Sequence, residues 1–89
     1  MVKNIGIVTA MRCISGEGGN LYFQISEVDK TFVIKGDDAG RDAYASILAA
    51  SLAASSSTKL VVSVESEPYE PQPNYHAVSQ IYAGKWRSL

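Results

Sequence analysis

Hydrophobic and polar positions divide this chain into short alternating runs, one long run of apolar and small residues, and two turn-rich breaks. Ile5 to Ile14 is dense in apolar and β-branched residues, which favour extended backbone. The cluster Ser15-Gly16-Glu17-Gly18-Gly19-Asn20 ends that run with a flexible turn. Leu21 to Ser26 alternates, with Leu21, Phe23 and Ile25 on one face and Tyr22, Gln24 and Ser26 on the other. Glu27-Val28-Asp29-Lys30 is short and polar enough for a hairpin turn, and Thr31 to Lys35 resumes as a third strand.

The period changes after Gly36-Asp37-Asp38, which ends the strand and offers an aspartate N-cap to a following helix. Between Asp42 and Lys59 there is no charged side chain. At about 3.6 residues per turn, Tyr44, Ile47, Leu48 and Leu52 share one side, as a core-facing stripe should. The opposite side carries Ser46, Ala49, Ala50 and Ala53, where a lone solvated helix would show Lys, Glu or Arg. Small residues there predict that something packs closely against this face, and a second copy of the same helix would fit.

The helix fades in Ser55-Ser56-Ser57-Thr58, and Leu60 to Val64 follows as a strand. Glu65 to Asn74 holds all three prolines and reads as a loop, since proline cannot donate to a central ladder. Tyr75 to Tyr82 makes the last strand. The predicted order is βββ-α-ββ over a single domain, residues 1–89: mainly β with one helix. Five strands with a helix between the third and fourth is the order of a five-stranded OB-fold barrel. A split βαβ fold would need a second helix, for which no segment remains.

Composition narrows the function more than it names it. A net charge of −1 with scattered Lys and Arg gives no linear basic patch, which counts against a dedicated nucleic-acid binder. One cysteine, Cys13, excludes an internal disulfide, and one histidine, His76, excludes a multi-histidine zinc site. No metal and no cofactor is expected. No apolar run reaches the length needed to span a bilayer. The start, Met1 to Ile7, lacks a signal peptide's apolar stretch. That predicts a cytoplasmic chain if it is full-length as given, and a secreted one if a leader was removed.

The segment Asp38-Ala39-Gly40-Arg41 through Ala50, then Lys59-Leu60-Val61-Val62-Ser63-Val64, together with the element order, resembles the OB-fold B-subunits of bacterial AB5 toxins. The resemblance covers most of the chain. It implies a ring pentamer with strand pairing between subunits and helices around a central pore. It also implies glycan recognition and a catalytic partner subunit. Ser46, Ala49, Ala50 and Ala53 then become the oligomer interface. The unpaired Cys13 departs from that family, where many subunits carry a disulfide.

In an OB-fold the ligand surface lies at two loops and the face between them. That points to Glu17 and Asn20 in the first loop, and to Tyr69, Glu70, Gln72, Asn74 and Tyr75 in the second. Tyrosine rings can stack on sugar C–H faces while carboxylates and amides exchange hydrogen bonds with hydroxyls. The plain alternative is a proline-stiffened loop whose tyrosines cover the barrel end. For a single-stranded nucleic acid instead, Tyr22 on the outward strand face that also holds Gln24 would stack a base, while Arg12, Lys35 and Lys30 follow phosphate. Acidic Glu27 and Asp29 lie close by, and an ordinary outward face or a subunit contact is the stronger alternative. His76 has no serine, cysteine or acid at catalytic spacing, and Trp86 with Arg87 reads as a barrel cap or an interface. The expected function is a non-catalytic, oligomeric binding subunit for glycans or a partner protein; the alternative is a single-stranded nucleic-acid-binding OB protein.

Overall fold

A computed structural model describes residues 2–14, 16, 18–54, 60–71 and 74–83. It is mainly β with one helix: β1 (Val2–Gly6), β2 (Val8–Ile14), β3 (Asn20–Ile25), β4 (Thr31–Ile34), α1 (Arg41–Ala53), β5 (Val62–Pro68) and β6 (Tyr75–Ala83). The strands form one sheet in the order β1-β5-β6-β4-β3-β2. Neighbours run antiparallel except β4 and β6, which are parallel. No described helix is long and apolar enough to cross a membrane.

The first strand is not continuous as its composition predicts. It begins at Val2 and breaks at Ile7 into β1 and β2, so the sheet has six strands rather than five. Ser26 holds the break. Its backbone N–H donates to the Ile7 carbonyl at 2.8 Å, and its hydroxyl accepts the Ile7 N–H at 3.1 Å. Gly6 permits this approach, since a Cβ there would stand 2.9 Å from the Ser26 carbonyl oxygen. Because only Ile7 separates β1 from β2, the two ends of the sheet belong to one bent segment.

Strand alternation is as expected where it faces the core. Leu21, Phe23 and Ile25 are buried with Phe32, Ile34, Val62, Val64 and Leu48, and Phe23 stacks on Phe32 at 5.2 Å. The helix departs from its predicted stripe. Ser51 is fully buried while Leu52 is 44% exposed. The Ser51 hydroxyl accepts the Val8 N–H at 3.0 Å and donates to the Leu60 carbonyl at 2.6 Å, so the polar residue turns inward to serve buried backbone. The expected aspartate cap is also displaced. Gly40 occupies the N-cap position without a side-chain bond, while Asp38, two residues earlier, accepts the Gly40 N–H on its Oδ1 at 2.7 Å.

β5 runs on to Pro68 through what its prolines mark as loop. Among the described residues the β1 ladder ends at Val2 opposite Ser66, and beyond it β5 has β6 as its one neighbour. Tyr69 donates its N–H to Tyr75 at 3.0 Å. Alternation therefore aims the Pro68 nitrogen at the open edge, where a missing donor costs nothing.

Candidate ligand-binding site

The pairing register builds a surface on the side of the sheet away from the core. Arg12 stands opposite Tyr22, and Tyr22 opposite Val33, which pairs with Ala77. One step along, Ala10 stands opposite Gln24, and Thr31 opposite Tyr75. Gln24 Nε2 donates to Thr31 Oγ1 at 3.1 Å, linking β3 to β4 across this face.

Tyr22 does not present its ring as the alternation predicts. It is only 4% exposed, because Tyr75 covers it edge-on with ring centroids 5.4 Å apart. Val33 is equally buried although it lies outside the main core cluster. A small second core thus forms on the outer face. Above it opens a depression of about 420 Å³, walled by Ala10, Arg12, Gln24, Thr31 and Tyr75. A second depression of about 380 Å³ adjoins it near the β3–β4 turn and adds Asp29, Lys30 and Asn74. Gln24, Thr31 and Tyr75 wall both.

The residues predicted as ligand contacts separate into different settings. Tyr75 and Asn74 line the depressions. Tyr69 instead lies 5.7 Å from the Lys35 ammonium, and Glu70 is exposed in the turn. Asn20 is a structural clamp: its Oδ1 accepts the Gly36 N–H at 3.0 Å and its Nδ2 donates to the Tyr22 hydroxyl at 3.4 Å. Glu17 and Gln72 lie outside the described residues, as do Trp86 and Arg87. Thr31 was not legible as a site residue, since its part depends on the pairing of β4 with β6. Alternation alone puts Gln24 on this face, and the pairing of β2 with β3 sets Arg12 beside Tyr22.

The first loop is tied to the helix rather than to the depressions. Arg41 donates from Nε to the Gly19 carbonyl at 2.9 Å and from Nη2 to Cys13 Sγ at 2.9 Å. Gly18 and Gly19 both take positive φ, and Gly36 packs on Gly18. His76 is half-buried, with its ring 6.3 Å from Phe32. Among the described residues, no three His, Cys, Asp or Glu side chains gather as a metal site.

No family model matches this chain, nor does any curated protein or solved structure. What the surface can do follows from its chemistry. It offers an aromatic wall, two planar amides, a hydroxyl and a guanidinium around a shallow, partly polar hollow.

The predicted oligomer face is a separate surface. Ser46, Ala49, Ala50 and Ala53 are all exposed on α1, and Ser46 Oγ donates back to the Asp42 carbonyl at 3.1 Å. Leu52 adds exposed apolar area beside them. On the sheet, Ile5 is 57% exposed. Lys3 lies 5.3 Å from the Tyr82 ring, and a hydrogen bond with Tyr82 holds its pKa above the ordinary lysine value.

Proposed function

We propose that this chain is a non-catalytic binding subunit of an OB-fold ring, similar to AB5 toxin B-subunits, that recognises glycans or a partner protein, with glycans the ligand its surface suits best. The observation that carries the binding reading is the outer-face hollow walled by Tyr75, Gln24, Thr31 and Arg12. Sugars need a ring to meet their C–H face and amides or hydroxyls that both donate and accept. A volume of about 420 Å³ lies within the roughly 300–1,000 Å³ range of small-molecule sites.

The OB-fold reading is supported by the bend at Ile7. If β1 and β2 are two halves of one strand, the sheet order returns to its starting strand, with the helix between the third and fourth strands. The ring reading is supported by the uncharged, exposed face of α1. Five copies is the number the toxin resemblance implies.

A nucleic-acid ligand fits this surface less well. Base stacking needs an open ring face, and Tyr22 is covered by Tyr75. Asp29 and Lys30 stand together at the second depression, so that hollow offers phosphate no net positive charge. A printed glycan array, probed with the parent protein and with Tyr75→Ala, tests the proposal. Glycan signals that disappear in the variant are expected. A blank array beside tight oligonucleotide binding that falls steeply with salt would replace it with the nucleic-acid reading.

A further inference from the structure

β1 is the strand least tied to the rest of the molecule. It stands at one end of the sheet and pairs with β5 alone. Among the described residues, none of its side chains joins the core cluster, and Val2 and Ile5 are 44% and 57% exposed. Outside the ladder, its Lys3 meets Tyr82 at the surface. Asn4 turns its Oδ1 into the structure, where that atom is buried without a hydrogen-bond partner. Lifting β1 away would return the Asn4 amide to water, which offsets part of the ladder bonds lost. A segment with few buried apolar contacts opens at low cost.

The connection of β1 to the rest of the chain is very short. Ile7 alone joins it to β2, at the opposite end of the sheet. The bend there brings Gly6 against Ser26, whose carbonyl oxygen would stand 2.9 Å from a Cβ at Gly6. Short hinges favour exchange of an element between copies over its return to its own chain. We propose that β1 is an exchangeable strand: it leaves β5 about Ile7, and the β5 ladder from Val62 to Ser66 takes the β1 of a second copy. A second copy fits because it remakes every pair of the ladder between chains, with Lys3 again beside Glu65 and Tyr82. Side-by-side strand pairing between subunits is different, since there each subunit keeps its own β1. The exchange rests on neither the glycan nor the ring reading.

Two full-length chains with one substitution each test this. Ile5 stands opposite Ser63. Facing residues of antiparallel strands lie about 4.5–5.5 Å apart at Cα, within reach of a disulfide. Ile5→Cys in one chain and Ser63→Cys in the other, both with Cys13→Ser, are mixed, incubated at high concentration below the melting temperature, and oxidised. The expected product is a covalent dimer joining the two substituted positions, identified by peptide mapping. Its yield should grow with protein concentration and with time of incubation. Gly6→Ala, added to both chains, clashes with Ser26 in the bent hinge and is relieved in the exchanged one. It should raise the dimer yield about five-fold or more. Hydrogen exchange of the parent gives a reading without cysteines: the β1 amides should exchange well before those of β3.

With both substitutions in one chain, a bond that forms only within that chain, beside a mixture that gives no bond between the two positions, would overturn the proposal. Each β1 would then stay on its own β5, whether or not the subunits assemble. Parent β1 amides as slow to exchange as those of β3 would overturn it too. A dimer yield in Gly6→Ala no higher than without it would overturn exchange about Ile7.

Discussion

Ser51 accepts the amide N–H of Val8 at 3.0 Å, which joins the last turn of α1 to the first residue beyond the strand break. The same hydroxyl donates to the Leu60 carbonyl. One buried serine thus serves backbone groups from two other segments. Without it the buried Val8 N–H and the part-buried Leu60 carbonyl would lose this partner, and an unpaired buried polar group costs more than a hydrogen bond contributes.

Ser51→Ala should therefore lower stability by about 2–4 kcal/mol, although it raises helix propensity. Ser46→Ala, on the exposed face of the same helix, should change it by less than about 0.5 kcal/mol. Urea denaturation of the two variants checks the contrast. Equal, small effects would mean that the hydroxyl of Ser51 has little to do with holding the helix.

The packing of Gly36 against Gly18 gives a second test. A Cβ at Gly36 would collide with the Gly18 carbonyl oxygen, which is backbone and cannot step aside cheaply. The loop there is held by Asn20 on the Gly36 N–H and by Arg41 on the Gly19 carbonyl. Gly36→Ala is expected to cost about 2–3 kcal/mol, as overpacking does. Gly16→Ala, with open space around its Cβ position, should be nearly silent in the same thermal melt.

What was legible in the sequence follows from how local each cause is. Leu21, Phe23 and Ile25 alternate within a single strand, so their burial could be read from spacing. Tyr22 occupies the opposite phase, and its burial depends on Tyr75, which comes from β6. Nothing in helical spacing marks Ser51, because its partners, Val8 and Leu60, lie in other segments. Gly6 was visible, but its meaning depends on Ser26 passing close by. The site behaves in the same way. The outward phase of β3 identified Gln24, while Thr31 joins it only through strand pairing.

The two loop tyrosines should separate in binding assays. Tyr75 walls both hollows, whereas Tyr69 lies beneath the Lys35 ammonium. Tyr75→Ala should weaken glycan binding about five-fold or more, since loss of an aromatic contact is worth on the order of 1 kcal/mol or above. Tyr75→Phe keeps the ring over Tyr22 and should retain most of the affinity. Tyr69→Ala should bind within about two-fold of the parent, losing only an exposed cation–π contact of about 0.5–1 kcal/mol in stability. If Tyr69→Ala proves the more damaging variant, the ligand sits at the loop tip and not in the hollows.

The proposed ring rests on the exposed face of the helix. Ala49, Ala50 and Ala53 are exposed with Ser46, and no charge follows Asp42 within the helix. Small side chains let two backbones approach closely, and apolar area removed from water contributes roughly 25 cal/mol per Å². Leu52 on α1 and Ile5 on β1 add exposed apolar area. In the proposed ring a head-to-tail contact would repeat until the ring closes. Light scattering of the parent should give a multimer, with five subunits expected. Ala53→Glu would bring carboxylates together where the helices meet, and their repulsion should dissociate the ring or leave no folded protein. Ala53→Ser keeps the size without the charge and should stay assembled, which separates repulsion from general damage to the helix. A monodisperse parent monomer would remove the ring, and with it the main support for the toxin-subunit likeness.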